Sequence, residues 1–256
     1  RRTLVVAPGV AAVTSASVSG RAEARATMLT FDPRLTNAFS ADFQDLLDKC
    51  KPLMTTYVNP GDGEALLGCI SQFESDRGDR IQMSTTLSSI TTPISLVRHA
   101  ARSAPPAQGE AIVQALSKAQ DMFRRSLSQY EAIDIHTLAA PARVRAGEVP
   151  MGVSYLGERV FYTPRTYAQH LQNIGALLEA YPRYHAVFLP QSADACALMV
   201  KQERQALLLR PEVPLTIFEI AQPAVAEACR DYLTRRAHSA LPPALRRQDA
   251  LVRIRQ

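Results

Sequence analysis

The spacing of hydrophobic residues changes from helical to strand-like about halfway along the chain. Between residues 32 and 130, apolar side chains recur every three or four positions, which places them on one face of an α-helix. Asp32 followed by Pro33 predicts the start of the first helix, because the carboxylate can accept backbone N–H bonds and proline tolerates the first helical turn. The stripe that follows consists of Leu35, Phe39, Phe43, Leu46 and Leu47.

Short apolar runs typical of strands dominate the chain after residue 130. They are residues 132–137, 185–189, 196–200, 205–209 and 215–220. One helix interrupts them, starting at Thr163 and Pro164, and another starts at Pro223. The last helix is expected to bury Val225, Ala228, Cys229, Tyr232 and Leu233. The pattern predicts an α+β fold, in which a helical N-terminal part precedes a small, mostly antiparallel sheet with packed helices.

These patterns divide the chain into four predicted regions. Residues 1–31 show no sustained periodicity and are rich in Ala, Ser, Val and Thr, so we expect a disordered leader. Residues 32–130 form a helical region, and residues 131–236 form an α/β domain. Residues 237–256 are predicted to be a basic C-terminal tail.

Composition adds a charge asymmetry to this picture. The net charge is +5, and seven arginines against two aspartates from Arg230 onward account for all of it. Phosphate contacts from such a tail would be sensitive to salt and blind to base sequence. No apolar run reaches the roughly 18 to 20 residues that a membrane helix needs, so we expect a cytoplasmic protein without membrane contact.

The residues that usually carry chemistry show no recognisable arrangement. Cys50, Cys69, Cys196 and Cys229 lie far apart, so neither a zinc site nor a disulfide framework is indicated. His136 and His185 lie singly in strand-like runs, which favours structural or surface roles. No nucleophile elbow, phosphate-binding loop or metalloprotease helix occurs. We therefore expect no catalytic residue, metal or cofactor, although a dispersed triad stays open because its members need not be close in sequence.

The segment from residue 162 to residue 189 carries a family resemblance. A TyrThrPro start, a HisLeuXaaAsn helix, a LeuLeuGluXaaTyr end and a TyrHis-led strand follow one another there. IleHisThrLeu at 135–138 and IlePheGluIleAlaGlnPro at 217–223 extend the pattern. The chain resembles the C-terminal region of helix-turn-helix regulators from Gram-positive gut bacteria, over about residues 131–236. The resemblance implies a sensor or oligomerisation region, and it transfers no catalytic residue.

One cluster of polar and aromatic residues stands out as a candidate ligand site. His170 and Asn173 are three residues apart on one predicted helix and flank its apolar stripe. Tyr162, Tyr167 and Tyr184 are expected nearby. Aromatic walls with a few polar groups are typical of small-molecule pockets. The alternative is that both polar side chains tie the helix to neighbouring backbone.

The sequence thus favours a non-enzymatic sensor or oligomerisation region of a bacterial transcriptional regulator, with an unidentified effector. We expect a homodimer or larger homo-oligomer, a possible small-molecule effector, and DNA contact only through a helix-turn-helix domain that this sequence does not contain. Two alternatives remain, an enzyme with unmarked active-site residues and a purely structural dimerisation module.

Overall fold

A computed structural model of the chain describes residues 2–17, 25–50, 54–57, 63–152, 159–189, 196–202, 205–210, 216–240, 242 and 245–255. The residues fall into two units, Arg1–Pro52 and Leu53–Gln256. Both combine helices with strands, which confirms the α+β class. The predicted boundary at residue 130 does not coincide with the division between these units.

The first unit is a three-stranded antiparallel sheet followed by one helix. Its strands are β1 (Arg2–Ala7), β2 (Ala11–Ser17) and β3 (Arg25–Thr30), paired in that order, and α1 spans Pro33–Asp48. Pro8 and Gly9 form the turn between β1 and β2, in which Gly9 has a φ of 72° and Val10 N donates to Ala7 O. Proline followed by a positive-φ glycine is typical of a type II turn.

The expectation of a disordered leader over residues 1–31 is therefore wrong for the described residues 2–17 and 25–31. The small residues of this segment alternate between two faces of a sheet, and Ala12 is fully covered on one of them. Pro8 and Gly9, which interrupt the apolar run in the sequence, reverse the chain so that β1 and β2 can pair. The predicted start of α1 is confirmed, because the Asp32 carboxylate accepts from Arg34 N at 2.8 Å.

In the part of the second unit that the structure describes, seven strands form one mixed sheet. The strands are β4 (Met54–Tyr57), β5 (Arg80–Ser84), β6 (Ala132–Thr137), β7 (Tyr184–Leu189), β8 (Ala197–Lys201), β9 (Gln205–Arg210) and β10 (Thr216–Ile220). Their spatial order is β4-β10-β9-β8-β5-β6-β7. The pairs β5–β6 and β6–β7 are parallel, whereas the other four are antiparallel.

Helices connect and cover these strands. They are α2 (Gly63–Ser75), a short 3-10 helix (Ser89–Thr91), α3 (Ile94–Ala101), α4 (Pro106–Ser126), α5 (Pro141–Arg145), α6 (Pro164–Ala180), α7 (Pro223–Ala240) and α8 (Arg246–Arg255). The larger core joins α3, α4, α6 and α8 to the face of the sheet that carries Tyr184, Ala186 and Phe188. A second core lies between the opposite face and α7. Among the described residues, no helix is long and apolar enough to cross a membrane.

The predicted helical region over residues 32–130 is only partly correct, because it contains β4 and β5. Strand β5 lies between β8 and β6 in the middle of the sheet. Its sequence, ArgIleGlnMetSer, alternates polar and apolar side chains as a strand does, but the run is only five residues long. The strand is fixed by partners about 50 and 120 residues away, which no local pattern reports.

Two predictions for the C-terminal part of the chain also need correction, the buried face of the last long helix and the basic tail. In α7 the buried positions are Ala226, Leu233 and Ala237, whereas Val225 and Tyr232 are exposed, because small residues let this helix lie close to the sheet. Residues 237–256 are not a free tail, since α8 packs against α6 and β7 with Ala250 fully buried.

Two helical glycines should respond oppositely to alanine. A Cβ at Gly109 would lie 2.7 Å from the backbone oxygen of Ala101, so Gly109→Ala should destabilise the chain by forcing α3 and α4 apart. At Gly175 the nearest atom would be Ile254 Cγ2 at 3.7 Å, an ordinary contact. Gly175→Ala should therefore raise the free energy of unfolding by up to about 1 kcal/mol through helix propensity. Urea unfolding of both variants checks this, and a stabilised Gly109→Ala would contradict the close α3–α4 approach.

Candidate functional site

Helix α6 carries three of the five residues that the sequence singles out, Tyr167, His170 and Asn173, and Tyr162 lies just before it. Its start is fixed by a reciprocal capping box, in which Thr166 N donates to Thr163 Oγ1 and Thr163 N donates to Thr166 Oγ1. Pro164 occupies the first turn, as the sequence predicts. Tyr167 and His170 then lie on the buried face of the helix.

His170 is completely buried, and both of its ring nitrogens have partners. Tyr162 Oη lies 2.7 Å from Nδ1, and Thr91 Oγ1 lies 2.9 Å from Nε2. The Thr91 hydroxyl donates to Ser88 O at 3.0 Å, so it accepts from Nε2–H. The Tyr162 hydroxyl must then donate to Nδ1, which makes His170 a neutral imidazole with its proton on Nε2. Burial, with a smaller contribution from His136, lowers the pKa of His170 to about 3, consistent with this state.

A short segment after β5, residues 88–92, collects hydrogen bonds from several elements. Asn173 Nδ2 of α6 donates to Thr91 O at 2.7 Å, and Gln120 Nε2 of α4 donates to Thr92 O at 2.6 Å. Ser88 N donates to His136 Nδ1 of β6 at 3.3 Å, and Gln82 of β5 donates to Ser88 Oγ. We call residues 88–92 the clamp segment, because two helices and two strands hold it.

Tyr184 belongs to a neighbouring part of the same buried network. Its hydroxyl donates to Asp134 Oδ2 at 3.0 Å, and its ring meets Phe123 edge-on at 5.9 Å. Asp134 Oδ2 lies 3.8 Å from His136 Nε2 on the same strand. Asp134 Oδ1 and His136 Nε2 are both buried, and neither has a hydrogen-bond partner among the described residues. Such unsatisfied buried atoms are uncommon in folded proteins.

Burial shifts the pKa values of Asp134 and His136 on β6. It raises the pKa of Asp134 to about 6, although the nearby Arg80 guanidinium acts in the opposite direction. It lowers the pKa of His136 to about 3. Near neutral pH, His136 is therefore neutral and stacks on the Phe188 ring at 5.3 Å.

Arg80 anchors the other end of the network. Its Nη1 donates to the Glu74 carboxylate at 2.6 Å, its Nη2 donates to Gln82 Oε1, and its guanidinium lies 5.5 Å from the Phe73 ring and 5.2 Å from the Phe123 ring. The sequence interpretation missed Arg80, Gln82 and Asp134. The signal that points to them is polar residues at alternate positions of strands that are buried on both faces.

The structure therefore groups Tyr162, Tyr167, His170 and Asn173 in and beside α6, whereas Tyr184 contacts Asp134. Tyr162, Tyr167, His170 and Tyr184 are buried, and Asn173 is half-buried. Tyr167 Oη accepts from Ala139 N, two residues beyond the end of β6. A groove of about 630 Å³ lies elsewhere, between the outer sides of α3 and α4, and Arg98, Lys118 and Asp121 line it. Within the described ranges, no three His, Cys, Asp or Glu side chains are arranged to hold a metal ion.

Comparisons with known proteins add little. No model of a known protein family matches the chain, and no curated protein is similar to it in sequence. Among solved structures, the chain is similar to TrmBL2, an archaeal chromatin protein described as showing a novel mode of DNA binding. The identity is 8% and the TM-score is 0.34, over 89% of this chain and 76% of that one. A likeness of this size carries no argument about function.

The Tyr162–His170 contact should stabilise the fold. Tyr162→Phe removes the donor to a buried ring nitrogen, so the free energy of unfolding should fall by about 1 to 3 kcal/mol. Gln169→Ala is the control, since Gln169 lies on the same helix and its exposed amide donates to Ser95 Oγ; it should change stability by less than about 0.5 kcal/mol. Urea unfolding distinguishes the two, and equal stabilities would refute the assigned role.

The buried groups should also set the pH dependence of stability. The folded-state pKa values of His136 and His170 are lowered to about 3, so between about pH 4 and 6 the unfolded chain binds protons there that the folded chain does not. Each histidine therefore makes stability rise with pH in this window. Asp134 acts oppositely, because its pKa is raised to about 6 and the folded chain keeps a proton that the unfolded chain loses near pH 4.

Three variants separate these contributions in urea unfolding between about pH 4 and 6. Asp134→Asn should steepen the increase of stability with pH, and His170→Gln should flatten it, each by up to one proton. His99→Gln, at an exposed position of α3, is the control and should leave the slope unchanged. A slope that no variant alters would show that these groups titrate alike in both states.

Proposed function

We propose that this chain is a sensor or oligomerisation region of a bacterial transcriptional regulator, and that its effector is a small molecule docking beside α6. One observation carries the proposal. The clamp segment and Tyr167 lie just beyond the carboxyl ends of the parallel strands β5 and β6. Ligands of open α/β sheets commonly bind outside the carboxyl ends of parallel strands.

Through the hydrogen bonds of the clamp segment, a bound effector could change the positions of the helices that hold it. Asn173 and Gln120 donate to consecutive carbonyl oxygens of this segment from two different helices. A molecule that competes for either bond would change how α4 and α6 are held. We propose that Asn173 and Tyr167 contact the effector, and that Tyr162, His170 and Tyr184 hold the surrounding walls in place.

We propose that DNA recognition lies outside these residues. The arginines near the C-terminus are engaged within the fold, since Arg253 forms an ion pair with Asp249 at 2.8 Å and Arg247 donates to Glu179 O at 3.3 Å. Arg255 lies 3.7 Å from Glu179. These contacts support the proposal that sequence-specific binding requires a separate helix-turn-helix domain.

One observation supports an enzyme as the second candidate. Asp134 and His136 lie side by side with one unsatisfied polar atom each, and carboxylates and imidazoles are common acid–base groups. Both side chains are completely buried, so catalysis would require the helices to move away from the sheet.

A metabolite panel tests these hypotheses about function on the purified chain. Amino acids, monosaccharides and nucleotides are screened singly by thermal unfolding, and a sensor should gain several degrees in melting temperature with one compound, because a ligand that binds only the folded state stabilises it. That gain should disappear in Asn173→Ala and persist in Gln169→Ala. Conversion of the compound, followed by NMR, would favour the enzyme. Absence of any shift would favour a purely structural module.

A further inference from the structure

Asp134 and His136 place two polar side chains on the same side of β6, deep inside the second unit. They are two residues apart, and alternate residues of a strand lie on one face of its sheet. Both side chains are completely buried. The Tyr184 hydroxyl donates to Asp134 Oδ2, whereas Asp134 Oδ1 and His136 Nε2 have no hydrogen-bond partner among the described residues. Two polar atoms therefore stay unsatisfied within one part of the core.

The two unsatisfied atoms have opposite hydrogen-bonding needs. Ser88 N donates to His136 Nδ1, so the proton of the neutral imidazole lies on Nε2, which needs an acceptor. Asp134 has a pKa of about 6, raised by burial, so near neutral pH its Oδ1 belongs to a carboxylate and needs a donor. The amide of Gln82 lies near this carboxylate, but its N–H donates to Ser88 Oγ. A single group that both accepts and donates would satisfy the two atoms.

The side chains are too far apart to satisfy each other directly. Asp134 Oδ2 lies 3.8 Å from His136 Nε2, beyond the roughly 2.7 to 3.2 Å of an N–H···O hydrogen bond. One oxygen atom with two hydrogen bonds of about 2.8 Å joins atoms up to about 5.6 Å apart. On β7, the residue level with Asp134 is Ala186, whose small side chain takes up little of the space between Tyr184 and Phe188. The separation and this small neighbour suit one bridging oxygen atom.

The pattern of donor and acceptor identifies the occupant as a neutral hydroxyl group. A metal ion is excluded at His136 Nε2, because a protonated ring nitrogen has no free lone pair. The Asp134 carboxylate repels an anion, and a cation offers no acceptor to Nε2–H. Tyr184 and Phe188 are buried beside the two side chains, and Phe188 stacks on His136 at 5.3 Å, so a larger molecule would have to separate packed rings. Water meets these conditions.

We propose that Asp134 and His136 hold one internal water molecule, which accepts from His136 Nε2–H and donates to the Asp134 carboxylate. Buried waters in folded proteins typically bridge polar groups that protein atoms do not satisfy. This water extends a hydrogen-bond chain from Ser88 of the clamp segment, through His136 and Asp134, to the Tyr184 hydroxyl. The inference depends neither on an effector nor on catalysis, so a negative metabolite screen leaves it unaffected.

High-resolution crystallography of the full chain near neutral pH tests the site. The expected result is one oxygen peak about 2.6 to 3.2 Å from His136 Nε2 and from a carboxylate oxygen of Asp134. His136→Phe removes the donor and keeps an aromatic ring against Phe188, so the peak should disappear. Gln169→Ala, which removes an exposed amide of α6, is the control and should keep the peak. The proposal fails if the wild-type chain shows no peak or a direct Asp134–His136 hydrogen bond, or if the peak survives His136→Phe.

NMR of the wild-type chain tests the same contact in solution without a substitution. Two-bond nitrogen–proton correlations should show that His136 is protonated on Nε2. This proton should exchange slowly with solvent, because the site is buried, and its chemical shift should be that of an imidazole bonded to a neutral oxygen. His99, which is exposed on α3, is the internal control and should exchange rapidly. Protonation of His136 on Nδ1, or the strong downfield shift of a direct bond to a carboxylate, would overturn the proposal.

Discussion

Burial of the Arg80 guanidinium is the constraint on which the second unit depends. Arg80 lies on the central strand β5, with its charge enclosed by Glu74 of α2, Gln82 of its own strand and the rings of Phe73 and Phe123. A buried charge that loses its partner costs several kcal/mol. The strand, α2 and α4 must therefore come together in one arrangement, in which the carboxylate and both rings meet the guanidinium.

The polar network extends this constraint from the middle of the sheet to α6. Gln82 links Arg80 to Ser88, Ser88 contacts His136, and the following Thr91 contacts His170. Apolar packing alone tolerates many alternative arrangements of helices on a sheet, whereas directed hydrogen bonds admit few. The network thus defines how α4 and α6 lie over the parallel strands. Asp134 Oδ1 and His136 Nε2, which have no hydrogen-bond partner among the described residues, lie within this network.

The first unit is packed differently from the second. Its sheet is small, and α1 packs on it through Thr36, Phe39 and Ser40, whereas residues 41–50 of the helix and its end are exposed.

The sequence by itself determined the features that depend on neighbouring residues. Asp32 and Thr163 start their helices where the capping pattern places them, and the strands after residue 130 follow from short apolar runs. It also grouped Tyr162, Tyr167, His170 and Asn173, because helical spacing is local. Only the tertiary structure decided that Thr91 is the partner of His170, that Tyr184 bonds to Asp134 instead, and that β5 is central. Those contacts join residues 50 to about 120 positions apart, and their polar side chains resemble surface residues until the burial that pairs them is known.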